Sequence, residues 1–236
     1  MKEAIILAGG LGTRLRSAVP DLPKCMAPVK GRPFLSFLID YFLDQGVSRF
    51  VFSLGYKHEV ITDYLGSAHP GLDYAYTIET MPLGTGGAIR LACAQAKTTD
   101  VLIANGDTMF QVNVTALDSF HHEKNADVTL CLKRMEDFDR YGVVALNEDG
   151  RIRRFEEKKH YREGLINGGI YGLKVKPFLE LDFPPVFSFE QSYLEAYAGS
   201  RPMYGLVQDA YFIDIGIPED YNRAHIELYC KISYPS

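Results

Sequence analysis

A chain of 236 residues with 47% hydrophobic content can bury one large core, so a single domain covering 1–236 is expected. Its net charge of −5 argues against a nucleic-acid surface, which needs clustered basic residues. The first residues lack the charged leader and apolar core of a signal peptide, and no apolar run approaches the ~18 residues that span a bilayer, so the expectation is a cytoplasmic protein with no nucleic-acid or membrane partner.

Ala4 to Leu7 reads as a buried strand, and Gly9, Gly10 and Gly12 after it let the backbone turn sharply and bring bare N–H groups near an anion. A dinucleotide fingerprint would need a third glycine where Leu15 stands, and an acidic residue about 20 positions further on. A P-loop would need Gly-Lys-Ser/Thr, whereas Gly12 is followed by Thr13-Arg14. What remains is a glycine loop with two cations, Arg14 and Lys24, suited to a polyphosphate, or else a tight turn with two solvated charges. This stretch alone leaves both readings open.

Further along, Phe34 to Leu43 carries apolar residues at helical spacing and Gly46 is placed to end that helix. Arg49 to Leu54 reads as a strand, Glu59 to Leu65 as a short helix, Leu72 to Ile78 as a strand, Gly86 to Ala96 as a helix and Val101 to Ala104 as a fourth strand. Such alternation predicts a parallel sheet with helices on both faces and a ligand beyond the carboxyl ends of its strands, where the glycine loop, Glu79 and Asp107 fall. The second half is richer in strands: Asp127 to Leu132, Gly142 to Leu146, Arg151 to Phe155, Gly168 to Leu173 and Met203 to Val207. Helices are expected over Val175 to Leu181, Phe189 to Ala198 and Glu219 to Tyr229. Pro184-Pro185 marks only a turn or surface loop, and the His121-His122 pair reads as a helix surface. Cys25, Cys93, Cys131 and Cys230 form no Cys-x-x-Cys pair and read mostly as small apolar fillers.

Leu7-Ala8-Gly9-Gly10-x-Gly12-Thr13-Arg14-Leu15, followed by Pro23-Lys24-x-x-x-Pro28-Val29-x-Gly31-x-Pro33, closely resembles the signature of the sugar-1-phosphate nucleotidyltransferases. The resemblance implies a Rossmann-like, three-layer α/β fold of GT-A type, with a mostly parallel central sheet and an added β-rich sugar-binding portion. It also implies a nucleotide-binding half over about 1–110 and a sugar-phosphate half over about 111–236. Many relatives have Pro-Leu-Thr after the arginine-leucine pair and Pro after the lysine. Here Ser17-Ala18-Val19 and Cys25 stand instead, and neither departure removes a charge.

Asn105-Gly106-Asp107 ends a strand and in isolation could be an Asx-turn. Its partner is Asp214 in Tyr211-Phe212-Ile213-Asp214-Ile215-Gly216, which resembles the family's second metal motif. Two carboxylates completed by phosphates and water describe a Mg²⁺ site. Leu83-Gly84-Thr85-Gly86-Gly87 resembles the loop that packs against base and ribose, and Glu79 beside it can accept from guanine's paired N–H donors or stand as an exposed strand-end acid. Phe155-Glu156-Glu157-Lys158 resembles the family's Glu-Lys motif, which implies that Glu157 faces the sugar hydroxyls and Lys158 holds the sugar phosphate. Asn167-Gly168-Gly169-Ile170-Tyr171 matches the strand that follows, with Asn167 able to bond a sugar hydroxyl and the glycines leaving room for a ring, or simply a bulged strand.

Taken together, the nucleotide set is Leu7, Ala8, Gly9, Gly10, Gly12, Thr13, Arg14, Lys24, Glu79, Gly84, Thr85 and Asp107; Glu157, Lys158, Asn167 and Gly168 take the sugar phosphate. The catalytic charges are Arg14, Lys24, Asp107, Lys158 and Asp214. The expected partners are a nucleoside triphosphate and a sugar 1-phosphate, and a homo-oligomer is compatible with this reading. Within the family the motifs, with Asp137-Phe138-Asp139-Arg140-Tyr141-Gly142, are most similar to the branch that transfers GMP to a manno-configured heptose 1-phosphate. Mannose-1-phosphate guanylyl and N-acetylmuramate-1-phosphate uridylyl transfer are the alternatives within the family. A regulatory nucleotide-binding subunit without chemistry is the alternative outside enzymes.

Overall fold

Strand β1 (Glu3–Ala8) lies at the centre of the molecule, with parallel neighbours on both sides. A computed structural model describes residues 1–10, 12, 15 and 18–233, the last five by backbone alone. After β1 come a 3₁₀ turn (Lys24–Met26), a small hairpin of β2 (Pro28–Val29) and β3 (Arg32–Pro33), α1 (Phe34–Asp44), β4 (Arg49–Leu54), α2 (His58–Ala68), β5 (Asp73–Ile78) and α3 (Gly84–Cys93). There follow β6 (Asp100–Asn105), β7 (Thr108–Phe110), α4 (Val114–Glu123), β8 (Val128–Phe138), β9 (Val143–Leu146), β10 (Ile152–Glu156) and β11 (Tyr161–Lys174). The chain closes with α5 (Val175–Leu179), a π-helix (Phe189–Glu195), β12 (Met203–Val207), β13 (Phe212–Asp214) and α6 (Pro218–Ser233).

One nine-stranded sheet runs in the order β10-β9-β11-β6-β1-β4-β5, with β8 paired to β11 and β12 paired to β8. The strands β6-β1-β4-β5 are parallel, and β11 joins them antiparallel to β6. From β1 the chain moves outward through β4 and β5, then returns to place β6 on the other side of β1. That reversal is the topological switch point, where the loops leaving β1 and β6 diverge and open a crevice. Alternate residues of the sheet feed two cores. Ala4, Ile6, Phe50 and Phe52 meet α1, α2, α4 and α6 on one face, while Ile5, Val51 and Ile103 meet α3, α5 and the π-helix on the other.

Boundaries read from periodicity agree with β4 and β12 and lie close for most other elements, because the buried alternation is strong there. Several features were not read in full. The β2–β3 hairpin and the β7–β13 ribbon consist of strands too short to show a period, and α4, opened by Asn113 accepting from Ala116 N at 2.8 Å, was read only at its His121-His122 pair. The Phe189 helix is π rather than α over most of its length. His121 corrects the expectation of a helix surface: it is fully buried, with Nδ1 2.8 Å from Thr129 Oγ1 and Nε2 3.3 Å from Asp100 Oδ1, and burial lowers its pKa. Its neighbour His122 is exposed as expected, since successive helical residues point to different faces. Cys25, Cys93 and Cys131 are buried free thiols.

Strand β11 is interrupted by a register shift between Asn167 and Tyr171, so the bulged-strand reading of the glycine pair applies. A Cβ on Gly168 would stand 2.4 Å from the ring of Phe110 in β7, and one on Gly169 would stand 2.5 Å from Asn105 Nδ2. The room that these glycines were expected to leave for a sugar ring is therefore filled by protein. Gly168→Ala should push on a ring that has nowhere to go, lowering stability by about 1–3 kcal/mol. Urea denaturation measures it, and a variant as stable as the parent would mean that the ribbon yields to the added methyl.

Candidate active site

Three strand ends meet at the crevice. Gly106 N donates to Leu7 O at 2.9 Å and Tyr56 N to Gly9 O at 3.4 Å, so the loop after β6 is tied to the end of β1 and the loop after β4 to the loop that follows β1. A Cβ on Gly55 would lie 2.7 Å from Gly9 O, and one on Gly106 2.7 Å from Leu7 O. Glycine is needed here for close backbone approach. The resulting cleft has a volume of about 590 Å³ and is bordered by Leu7, Gly9, Gly10, Glu79, Gly84, Thr85 and Asp107 of the expected nucleotide set. A smaller space of about 200 Å³ continues past Ala8, Gly12, Lys24 and Gly216. Thr13 and Arg14 lie outside the described residues. Sequence reasoning missed Ser53, Gly55, Tyr56 and Glu190 on the cleft wall. Ser53 lies near the end of β4, with Gly55 and Tyr56 just after it and no motif of their own, and Glu190 sits far away in the chain.

Asp107 and Asp214 come together because β7 pairs with β13. Asp214 stands opposite Thr108, and Ile215 N donates to Asp107 O at 3.0 Å. Between the two carboxylates lies the Lys24 ammonium, which donates to Asp107 Oδ2 and, at 3.4 Å, to Asp214 Oδ1. Gly216 N also donates to Asp214 Oδ1 at 2.8 Å, and a Cβ on Gly216 would fall within 3.0 Å of both Asp214 and Lys24 Nζ. Burial raises the pKa of Asp214, and the Asp107 charge raises it further, with Lys24 opposing. Lys24, expected at the triphosphate, is thus also the counter-charge of the carboxylate pair.

Glu79 sits at the other end of the cleft. Its Oε2 accepts from Leu83 N at 2.8 Å, and its Oε1 lies over Gly9, where a Cβ would come within 2.6 Å. Burial raises its pKa, partly offset by the Leu83 N–H. The loop beyond is clamped to a distant segment. Gly86 N and Gly87 N donate to Phe187 O at 3.0 and 3.4 Å, and Phe187 N donates to Leu83 O at 3.0 Å. These two N–H groups face protein, and Pro184-Pro185, exposed in a surface loop as expected, leads into this clamp. α3 correspondingly starts at Gly84, whose φ of +71° suits glycine.

The expected sugar-side residues are less gathered. Glu157 and Lys158 are exposed in the turn after β10, where Tyr161 Oη donates to Glu157 O at 2.9 Å. The Asn167 side chain bridges its own bulge, donating from Nδ2 to Tyr171 Oη at 2.9 Å and accepting from Gly169 N at 3.0 Å. None of Glu157, Lys158, Asn167 and Gly168 borders the two spaces described above.

Residues 3–229 match the Nucleotidyl transferase family. The chain belongs to that family. Among relatives of this nucleotidyl transferase, the D-glycero-alpha-D-manno-heptose 1-phosphate guanylyltransferase of Aneurinibacillus thermoaerophilus is 47% identical over 96% of this chain and 98% of its own length. The protein of the same name from Campylobacter jejuni is 42% identical over 93% and 96%. The crystal structure of HddC from Yersinia pseudotuberculosis complexed with GMP-PN superposes with a TM-score of 0.86 at 37% identity, covering 96% of this chain and 99% of that one.

Removing the ammonium would leave two half-buried carboxylates facing each other. Lys24→Met should cost about 2 kcal/mol, below the value for a fully buried pair because Asp107 retains 32% exposure. Adding Asp214→Asn should recover part of it, as urea denaturation of the double variant would read; a Lys24→Met protein as stable as the parent would contradict the counter-charge role.

Proposed function

We propose that the protein transfers GMP from GTP to D-glycero-α-D-manno-heptose 1-phosphate, forming GDP-heptose and releasing pyrophosphate. The observation that carries the reaction is the meeting of Asp107, Asp214 and Lys24 beside the glycine loop at the switch point. The guanine and the heptose rest on the relatives' names and on Glu79, whose carboxylate can accept from guanine N1–H and N2–H.

The sugar 1-phosphate oxygen is already anionic, so no general base is needed; it attacks the α-phosphorus in line while pyrophosphate leaves on the opposite side. Arg14 and Lys24 neutralise the triphosphate, Lys158 aligns the incoming phosphate, and Glu157 and Asn167 address sugar hydroxyls. Asp107 and Asp214 suit a hard cation: they offer oxygen only, and Thr108 Oγ1 and Gly216 N orient them at 3.3 and 2.8 Å. Among the described residues no group of three or more His, Cys, Asp or Glu gathers as a metal site, so phosphate and water would complete the coordination. When bound there, Mg²⁺ supplies charge neutralisation on the transferring phosphoryl oxygens.

A matrix of GTP, ATP, CTP, UTP and dTTP against heptose, mannose and N-acetylmuramate 1-phosphates, followed by pyrophosphate release, tests the assignment. GTP with the heptose should give the highest kcat/KM. Preference for UTP would favour the uridylyl alternative, and mannose used equally would leave the sugar unassigned, since the two sugars share ring stereochemistry. No release with any pair would favour the regulatory subunit.

Two outcomes follow for single residues. Asp107→Ala and Asp214→Ala should each lower kcat by about 100-fold or more with the fold retained, the loss lying in transition-state charge stabilisation. Near-parent turnover in either would remove that carboxylate from the reaction. Burial raises the pKa of Glu79, so it takes up its proton at a higher pH than an ordinary glutamate. A protonated Glu79 turns a donor towards guanine, so KM for GTP should rise as falling pH protonates it and the dependence should flatten in Glu79→Gln. An unchanged pH profile in the variant would exclude Glu79 as the base reader.

A further inference from the structure

Glu190 has no part in the mechanism above, yet it is held like a working residue. It is the second residue of the π-helix and borders the main cleft together with Glu79, Thr85, Asn105 and Asp107. Its Oε2 accepts from Thr85 Oγ1 at 2.6 Å and from Ser188 Oγ at 3.1 Å. Thr85 Oγ1 in turn accepts from Phe189 N at 2.9 Å, so its single proton is committed to Glu190. One carboxylate oxygen is thereby pinned from two sides, and Oε1 has no hydrogen bond among the described residues.

The π-turn helps to explain this orientation. Such turns recur at functional sites. Here Phe189 and Tyr193 pack ring to ring in the core at 5.3 Å, while Glu190 stays half-buried at the cleft. Phe189 also meets Tyr171 edge-on at 5.2 Å, and the Tyr171 hydroxyl takes the Asn167 amide. Glu190 therefore sits where the nucleotide loop, through Thr85, meets the strand that carries Asn167.

A fixed carboxylate can only accept, and it repels phosphate. If the cleft takes the substrates proposed above, on which this inference rests, guanine's paired donors are opposite Glu79 and the phosphates lie towards Asp107 and Lys24. The donors left are hydroxyls on a sugar ring. We propose that Glu190 is a specificity-determining residue that accepts hydroxyl hydrogens from a substrate ring, either the ribose of the nucleotide or the ring of the sugar 1-phosphate, with Thr85 setting its reach.

Glu190→Gln keeps the shape, but the Thr85 and Ser188 donors draw the amide oxygen to themselves and leave the NH₂ facing the cleft. The expected result is a fall in kcat/KM of about 10- to 100-fold, the range for losing a hydrogen bond to a charged group. Assays with 2′- and 3′-deoxy-GTP and with deoxy sugar 1-phosphates locate the hydroxyl. The parent should lose activity on one deoxy analogue, and Glu190→Gln should lose little more on that same analogue. Thr85→Val, which frees the carboxylate without removing it, should shift the same substrate's KM in the same direction by less. Undiminished discrimination against both deoxy series in Glu190→Gln would overturn the proposal. If Glu190→Gln does not fold, the parent alone decides, because equal use of every deoxy analogue also overturns it. Calorimetric binding of GTP, its deoxy analogues and the sugar phosphates separates the two readings: hydroxyl-dependent binding lost in Glu190→Gln, without any turnover, would uphold Glu190 and sink the transfer reaction.

Discussion

The contact of Lys24 with Asp107 and Asp214 is the constraint around which the cleft is built. Two carboxylates brought together in a half-buried site repel each other and resist ionisation, as the raised pKa of Asp214 records. A cation between them offsets both the repulsion and part of the desolvation cost. The geometry leaves little slack. The β7–β13 register sets the carboxylates, the 3₁₀ turn after Pro23 presents the lysine, and Gly216 leaves the space that the ammonium and Asp214 fill. A polyphosphate arriving beside this triad would meet a lysine already at hand and two carboxylates already oriented.

The position of the triad follows from topology. Because β6 returns to the far side of β1, the loops after these two strands part, and both glycine-bearing turns face the same crevice. The sheet then continues through β11 into the second half without a break, so the strand that carries Asn167 hydrogen-bonds directly to β6, the strand that leads into the turn holding Asp107. The clamp between Leu83–Gly87 and the segment around Phe187 makes a second bridge across the molecule on the helical side. Segments remote from one another along the chain are thus mechanically linked twice around the cleft, once by sheet pairing and once by the clamp.

Glycine has a double meaning in this chain. At Gly9, Gly55 and Gly106 its absence of a side chain lets strand ends approach one another around the cleft. At Gly86 and Gly168 the space is taken by the rings of Phe187 and Phe110. A motif shared with a family therefore identifies where a backbone must come close to something, without saying whether that something is ligand or protein.

From sequence alone, the buried alternation of β1, β4, β5 and β6, the helices between them and the glycine loop at the end of β1 were legible, because each is a local pattern of period or turn chemistry. The motifs around Asp107 and Asp214 named a metal-binding pair through resemblance. Strands of three residues carry no period, so the ribbon that joins those aspartates was invisible. The second role of Lys24, the burial of His121, the filled space at Gly168 and the pinning of Glu190 were equally hidden, since each depends on at least one partner between 8 and 190 residues away along the chain. Local residue order determined which segments would be strands, helices and tight turns; which polar groups face each other across the cleft was decided only when the sheet order and the clamp brought remote segments into contact.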